Sequence, residues 1–133
     1  GALLALEIYQ TTVQVVRLPS RIPRFIIDKE GLFNKVFNRV RAFSESNLNI
    51  KIMKHTGFSG KFQLSGEDEE AIRTFFTDDL IQFLEKNEIH HIESNGDALM
   101  IFTYLHIART DEVPSMLSFS SNLLRHMGIQ DVS

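Results

Sequence analysis

The sequence Gly-Phe-Ser-Gly-Lys at positions 57–61 is the part of the chain closest to a phosphate-binding or nucleophilic loop. A P-loop needs four residues between its glycines and a Ser or Thr after its Lys, whereas here two residues intervene and Phe62 follows Lys61. A nucleophile elbow needs G-x-S-x-G, which is also absent. The G-x-x-G spacing fits a KH domain, but that loop joins two helices and these flanks alternate like strands. We interpret the segment as a plain turn, in preference to nucleic-acid binding.

Histidine side chains are the next candidates, because imidazole nitrogens are common metal ligands. His90 and His91 are neighbours in a predicted strand, so their side chains point to opposite faces and cannot share one ion. We expect His91 to face Met100 and His90 to face Ile101. All five histidines are interpreted as structural or surface residues, and no metal site is predicted. They are His55, His90, His91, His106 and His126.

A run of carboxylates at residues 67–70, followed by Asp78 and Asp79, could bind a divalent cation. A helix that begins at this run explains it without a ligand, since negative side chains stabilise the positive end of the helix dipole. The run also lacks the spacing of a calcium-binding loop. The sequence identifies no general acid and base pair. It therefore predicts no catalytic residue, cofactor or metal ligand, and it favours a non-enzymatic role while leaving enzymatic activity open.

Strands are predicted in three parts of the chain. Residues 4–18 alternate between apolar and polar side chains, with a break in the polar middle. Residues 48–64 are expected to be extended on both sides of a turn at 57–60. Residues 89–108 contain Asn95-Gly96, a strong signal for a two-residue type I′ hairpin turn.

Pairing about that turn places Ile92 opposite Leu99 and Ile89 opposite Phe102. The second strand of the hairpin is apolar on both faces, which favours a central position in the sheet. One face consists of Leu99, Ile101, Leu105 and Ile107, and the other of Met100, Phe102 and Tyr104.

Apolar side chains at helical spacing predict three helices. The first covers residues 32–40, and its remaining surface is basic, with Lys35, Arg39 and Arg41. The second begins at the acidic run and ends near Asn87. The third has Pro114 in its first turn, apolar residues at helical spacing from Val113 to Met127, and Gly128 as its terminator. The apolar stripe of the second helix is Ile72, Phe75, Phe76, Leu80, Phe83 and Leu84.

Length and composition fit one globular domain over residues 1–133. The chain is 43% hydrophobic with eleven Phe, enough for a core without metal or disulfide. It has no cysteine, which excludes thiolate nucleophiles, disulfides and iron–sulfur clusters. Its apolar runs are too short to span a bilayer, so we expect a soluble α+β domain. The expected architecture is an antiparallel or mixed sheet of about five strands with two or three helices packed on it.

Charge is distributed unevenly along the chain. Residues 17–61 hold ten basic against three acidic residues, a net +7, whereas residues 62–133 hold four against thirteen, a net −9. Such asymmetry indicates either mutual neutralisation within the fold or a basic surface that faces an anionic partner. The first interpretation is favoured. Gly1 is typical of a residue left after tag removal, so we expect the chain to be a fragment of a longer protein.

Four segments carry a resemblance to a known family: Leu18-Pro19 with Pro23-Arg24-Phe25, Phe58-Ser59, residues 66–76 and residues 92–99. Over about residues 18–127 the chain resembles an uncharacterised bacterial family. Its members are membrane-anchored proteins with a C-terminal globular domain of unknown function. The resemblance implies a domain on the cytoplasmic face of a bacterial membrane, with no catalytic residues to carry over. Without an upstream anchor the expected location is the cytoplasm.

Three hypotheses follow. The first is a non-catalytic interaction module whose segment 17–61 faces anionic lipid headgroups or an acidic protein, with Lys35, Arg39 and Arg41 as the predicted binding residues. The second is an enzyme or small-ligand binder with a pocket between sheet and helices, where His91, Glu93 and Tyr104 would converge. The third is a dimer formed through an edge strand. We favour the first.

Overall fold

The computed structural model describes residues 11–29, 48–50, 56–89, 91–104 and 106–129. The described strands are β1 (Gln14–Arg17), β2 (Phe25–Lys29), β3 (Leu48–Ile50), β4 (Phe62–Gly66), β5 (His91–Ser94) and β6 (Ala98–Phe102). The described helices are α1 (Thr56–Lys61), α2 (Glu69–Phe75), α3 (Asp78–Lys86) and α4 (Val113–His126), and a 3₁₀ turn (Thr110–Glu112) leads into α4.

The described strands form one sheet in the order β1-β6-β5-β2-β4-β3. Every neighbouring pair is antiparallel. The predicted α+β class with an antiparallel sheet is therefore confirmed, with six strands among the described residues. β6 lies between β1 and β5, so its predicted internal position is also confirmed.

One face of the sheet forms the hydrophobic core with the helices. Alternate positions along each strand point into this core, since successive strand residues face opposite sides. Ile27, Ile92, Leu99 and Ile101 have no exposed surface. The helices contribute further fully buried residues, which are Ile72 of α2, Leu80 and Leu84 of α3, and Leu123 of α4.

The intervening positions form what we call the second face of the sheet. The strand register places Val15, Met100, Glu93, Ile26 and Ser65 side by side across five strands. The next row along the same face contains Phe102, His91, Asp28 and Gln63.

The hairpin at Asn95-Gly96 forms, but its register differs from the predicted one. Ser94, rather than Ile92, lies opposite Leu99, and His91, rather than Ile89, lies opposite Phe102. The central residues of the turn are Gly96 and Asp97, and of these only Gly96 has a positive φ, +98°. A type II′ turn needs a positive φ at its first central position only, which Gly96 supplies. For the paired residues, a shift of two keeps each side chain on its predicted face. The predicted strand to residue 108 is too long, because β6 ends at Phe102, and Ile107, which was predicted on its apolar face, is 58% exposed.

Asn95 fixes this register through its side chain. Its Oδ1 accepts hydrogen bonds from the backbone N–H groups of Asp97 and Ala98, at 2.9 and 2.8 Å. Asn95 therefore closes the turn from its first position instead of occupying the centre of it.

The long second helix of the prediction is two helices. Asp68 caps α2 by accepting from the N–H of Ala71 at 3.1 Å, and Thr77 caps α3 by accepting from the N–H of Leu80 at 3.2 Å. The predicted apolar stripe runs without interruption across the boundary between α2 and α3 at Phe76. The spacing of apolar residues therefore gave no sign of the break between the two helices. The predicted end near Asn87 is confirmed, since Asn87 is the C-terminal cap of α3.

The predicted turn at residues 57–60 is wrong, because these residues lie within α1. Tertiary contacts hold this short helix despite its two glycines. Phe58 is 1% exposed, and its N–H donates to the Glu85 carboxylate at 3.0 Å. Lys61 Nζ donates to the carbonyls of Glu85 and Asn87 at the end of α3.

The C-terminal helix matches its prediction. Pro114 lies in the first turn of α4, and Gly128 follows the helix with φ +76°. Two predictions fall outside the described residues: the first half of the strand at residues 4–18 and the basic helix at residues 32–40.

Candidate functional site

Three ionisable side chains form a hydrogen-bonded row on the second face of the sheet. His91 and Glu93 are two residues apart on β5, so both point to this face, and Asp28 of β2 is the direct cross-strand partner of His91. The Nδ1 atom of His91 contacts the Asp28 carboxylate, and its Nε2 atom lies 2.7 Å from Glu93 Oε1. The imidazole ring is therefore held between two carboxylates.

Burial and the neighbouring carboxylates have opposite effects on the pKa of His91. His91 is 0% and Asp28 2% exposed, whereas the Glu93 side chain keeps 27% exposure. Burial disfavours the charged imidazole, but hydrogen bonds to both carboxylates, and their negative charges, outweigh that effect and raise the pKa of His91 above its ordinary value. Because a charged imidazole donates from both ring nitrogens, it can satisfy both carboxylates at once.

A cavity of about 240 Å³ lies beside the exposed end of this row. Glu93, Ile26 and Met100 line it from the second face of the sheet. Ser65 contributes from β4, and Arg24 and Glu67 contribute from the segments next to β2 and β4. The row thus connects a buried carboxylate to one that borders a cavity.

Three exposed arginines lie at the same end of the sheet. Arg17 ends β1, Arg24 precedes β2, and Arg21 lies in the connection between them, with its Nε next to Gly96. The connection is held onto the hairpin turn by two backbone bonds, Leu18 N–H to the Asp97 carbonyl and Ile22 N–H to the Gly96 carbonyl, each 2.9 Å.

Other basic residues of the segment 17–61 pair with the acidic half of the chain. Lys29 Nζ lies 3.3 Å, and Lys61 Nζ 3.8 Å, from Glu88 carboxylate oxygens. Among the residues that the structure describes, no carboxylate forms an ion pair with Arg17, Arg21 or Arg24. In the described part of the chain, the acidic half therefore neutralises Lys29 and Lys61 but not these three arginines.

The sequence-predicted residues have different outcomes. His91 and Glu93 do come together, as the second hypothesis required, but Tyr104 stacks on His106 with ring centres 5.1 Å apart and takes no part in the row. His91 faces Phe102 rather than the predicted Met100. Lys35, Arg39 and Arg41 lie outside the described residues.

The remaining histidines and carboxylates have local partners. His106 Nε2 lies 2.8 Å from Glu112 Oε1, and His126 Nδ1 2.5 Å from Asp79 Oδ2. His55 and His90 fall outside the described part of the chain. In that part no group of three His, Cys, Asp or Glu side chains could hold a metal ion. In the row itself both imidazole nitrogens already face carboxylates, so neither is available as a ligand.

Comparisons with protein-family models, with curated proteins and with solved structures found no match to this chain. The resemblance to a membrane-anchored bacterial family stays a prediction. Within the described ranges, none of the helices has the length and apolar character needed to cross a bilayer.

Proposed function

We propose that this chain is a non-catalytic interaction module of a membrane-anchored bacterial protein, and that its basic segment 17–61 faces an anionic membrane surface. The observation that supports the proposal is the set of three exposed arginines, Arg17, Arg21 and Arg24, without ion pairs to the described carboxylates. An exposed guanidinium without an ion pair to the described carboxylates is available to lipid phosphates, with which it can form two parallel hydrogen bonds.

The positions of these arginines suit an extended surface. β6 and β5 lie between β1, which ends at Arg17, and β2, which follows Arg24. The two arginines are therefore three strand intervals apart, or about 14 Å. Arg21 lies between them on a connection that is fixed to the hairpin turn. The charges are thus spread across one end of the sheet, and the predicted basic helix with Lys35, Arg39 and Arg41 would extend the same segment.

The expected strength follows from the number of charges. Each Lys or Arg near an anionic membrane contributes about 1 kcal/mol, so three arginines contribute about 3 kcal/mol, or roughly two orders of magnitude in affinity. Salt weakens this contribution, because exposed charges are screened over about 8 Å at physiological ionic strength.

The test is co-sedimentation of the chain with phosphatidylcholine vesicles that contain or lack phosphatidylserine, at low and high salt. We expect binding to the anionic vesicles at low salt, and a loss of roughly two orders of magnitude in the R17Q/R21Q/R24Q variant. The matched control is R73Q/R109Q/R125Q, which removes the same charge outside the segment. K35E/R39E/R41E tests the predicted helix and is expected to bind more weakly as well.

Two outcomes would contradict the proposal. Equal binding by R17Q/R21Q/R24Q and its control would show a general charge effect instead of a specific surface. No binding of the wild-type chain to anionic vesicles at low salt would leave an acidic protein as the partner for these arginines. Circular dichroism of each variant verifies that the fold is retained.

The alternative function, a small-ligand-binding or enzymatic domain, is supported by one observation. Glu93 lines the cavity of about 240 Å³ and is oriented by His91. Because Tyr104 is elsewhere and the described residues bring no nucleophile to this row, binding is the better supported form of this alternative.

A further inference from the structure

Side chains of opposite charge line the cavity beside Glu93. Arg24 and the two carboxylates of Glu93 and Glu67 line it together. Even so, among the described residues Arg24 forms no ion pair with Glu93. A cation and an anion that border one cavity without contact leave a gap that a molecule with both charges can bridge.

Glu93 is held in a fixed position at the edge of this gap. Its Oε1 atom is bound to the Nε2 of His91 at 2.7 Å, and His91 is in turn held by Asp28. This leaves Oε2 of Glu93 as the oxygen available to the cavity, and the side chain is 27% exposed there. A carboxylate oriented by a hydrogen-bond donor behind it is a pre-formed acceptor for an ammonium group.

The remaining lining limits what fits. Ile26, Phe25 and Met100 supply apolar surface between the charged groups, and Ser65 adds a hydroxyl. The volume of about 240 Å³ lies below the range of about 300–1,000 Å³ typical of pockets for drug-sized ligands. The cavity therefore suits a small molecule whose two charged ends are joined by a short aliphatic part.

We infer that this cavity binds a small zwitterion, with its ammonium group on Glu93 and its oxyanion on Arg24. Free α-amino acids with short aliphatic side chains have this chemistry. The site is separate from the membrane-facing role except that Arg24 belongs to both, so the two proposals are tested with different ligands and different variants.

The test is isothermal titration of the chain, in the absence of lipid, with alanine and valine and with two singly charged analogues, propylamine and propionate. We expect the zwitterions to bind at micromolar to millimolar concentration, and each analogue to bind at least about tenfold more weakly because one charge-assisted bond is lost. Amide resonances of Ser65, Ser94 and Asn95 are expected to shift on binding.

Two variants assign the ends of the ligand. E93Q keeps an oxygen to accept from His91, so the fold is retained, but it removes the charge and is expected to weaken zwitterion binding at least about tenfold. R24Q is expected to weaken zwitterion binding similarly while leaving propylamine binding unchanged. The controls are E70Q and R125Q, which remove the same charges from helix surfaces outside the cavity.

The inference is overturned if no zwitterion binds at millimolar concentration, or if E93Q binds as the wild type does. Because R17Q and R21Q leave the cavity intact, that double variant separates the two proposals: weakened vesicle binding with retained zwitterion binding would support both of them. If the wild-type chain binds zwitterions but not anionic vesicles, this inference stands and the membrane proposal fails.

Discussion

Replacement of His91 by Leu tests the physical role of the buried row. Leu fills much of the ring volume but removes the positive charge and both donors. Breaking a buried ion pair by removal of one partner costs about 3–5 kcal/mol. Glu93 is partly exposed and can turn toward water, so the cost comes mainly from Asp28, which is 2% exposed. We therefore expect a value at the lower end, about 3 kcal/mol, at a pH below about 6.5 where the imidazole is charged.

The pH dependence gives a second and sharper readout. The pKa of His91 is raised in the folded chain, so protonation stabilises the fold. This contribution is fully present below the unfolded pKa, about 6.5, and is lost as the pH rises through the folded value. The wild type should therefore lose stability as the pH rises above about 6.5. In His91→Leu this loss should vanish, because the group that carries it is gone.

The assay is urea denaturation followed by far-UV circular dichroism between pH 5 and pH 9. His106→Leu is the matched control, because His106 also faces a carboxylate, Glu112, but its side chain is 53% exposed. We expect the control to change stability by less than about 1 kcal/mol. If His91→Leu is as stable as the wild type and shows the same pH slope, the row is not an ion-paired element of the fold.

Three further substitutions test the local structure by thermal or urea unfolding. Thr77→Ala removes the cap of α3 and should cost about 1 kcal/mol, whereas Thr77→Ser keeps the hydroxyl bond to the Leu80 N–H and should cost little; equal losses would show that the cap is unimportant. Gly66→Ala places a methyl group 2.1 Å from Ile72 Cδ1 and should destabilise by about 1–3 kcal/mol. Gly60→Ala meets nothing within 4 Å inside α1 and should stabilise by about 0.4–1 kcal/mol; the opposite order of these two variants would contradict the packing described.

Much of the fold follows from the sequence because local patterns and tertiary packing agree there. Residues 98–102 alternate between core and second face as predicted. Pro114 lies in the first turn of α4, which begins at Val113, and Gly128 follows its end at His126, as predicted. The division between α2 and α3 was missed, since the apolar period runs through Phe76 without interruption. Thr77 followed by two aspartates was the local signal, because Thr is a common helix cap and acidic residues favour the first turn.

The short helix α1 was missed for a different reason. Its two glycines have low helix propensity, and the bonds that hold it come from Glu85 and Asn87 of a later helix. Such contacts have no local signature. Propensity alone therefore predicted a turn.

The candidate site was accessible to sequence reasoning only in part. His91 and Glu93 stand two residues apart in a predicted strand, which places them on one face. Asp28 lies 63 residues earlier, and its place beside His91 depends on the order of strands in the sheet. The cavity depends on the same order, because residues next to β2 and β4 line it with residues of β5. Lys35, Arg39 and Arg41 remain predicted binding residues.

The strand order also has a consequence for how the sheet is assembled. Among the described strands only β5 and β6 are joined by a tight turn, so this hairpin is the pair that local contacts can form early. The partners of β2, which are β4 and β5, come later in the chain. The partner of β1 is β6, the last of the described strands. During synthesis from the N-terminus, the two earliest described strands therefore leave the ribosome before any of their partners. β2 can pair with β4 first, but its other edge and β1 lack their described partners until the hairpin emerges, so the interval before that point is when the chain most needs protection from aggregation.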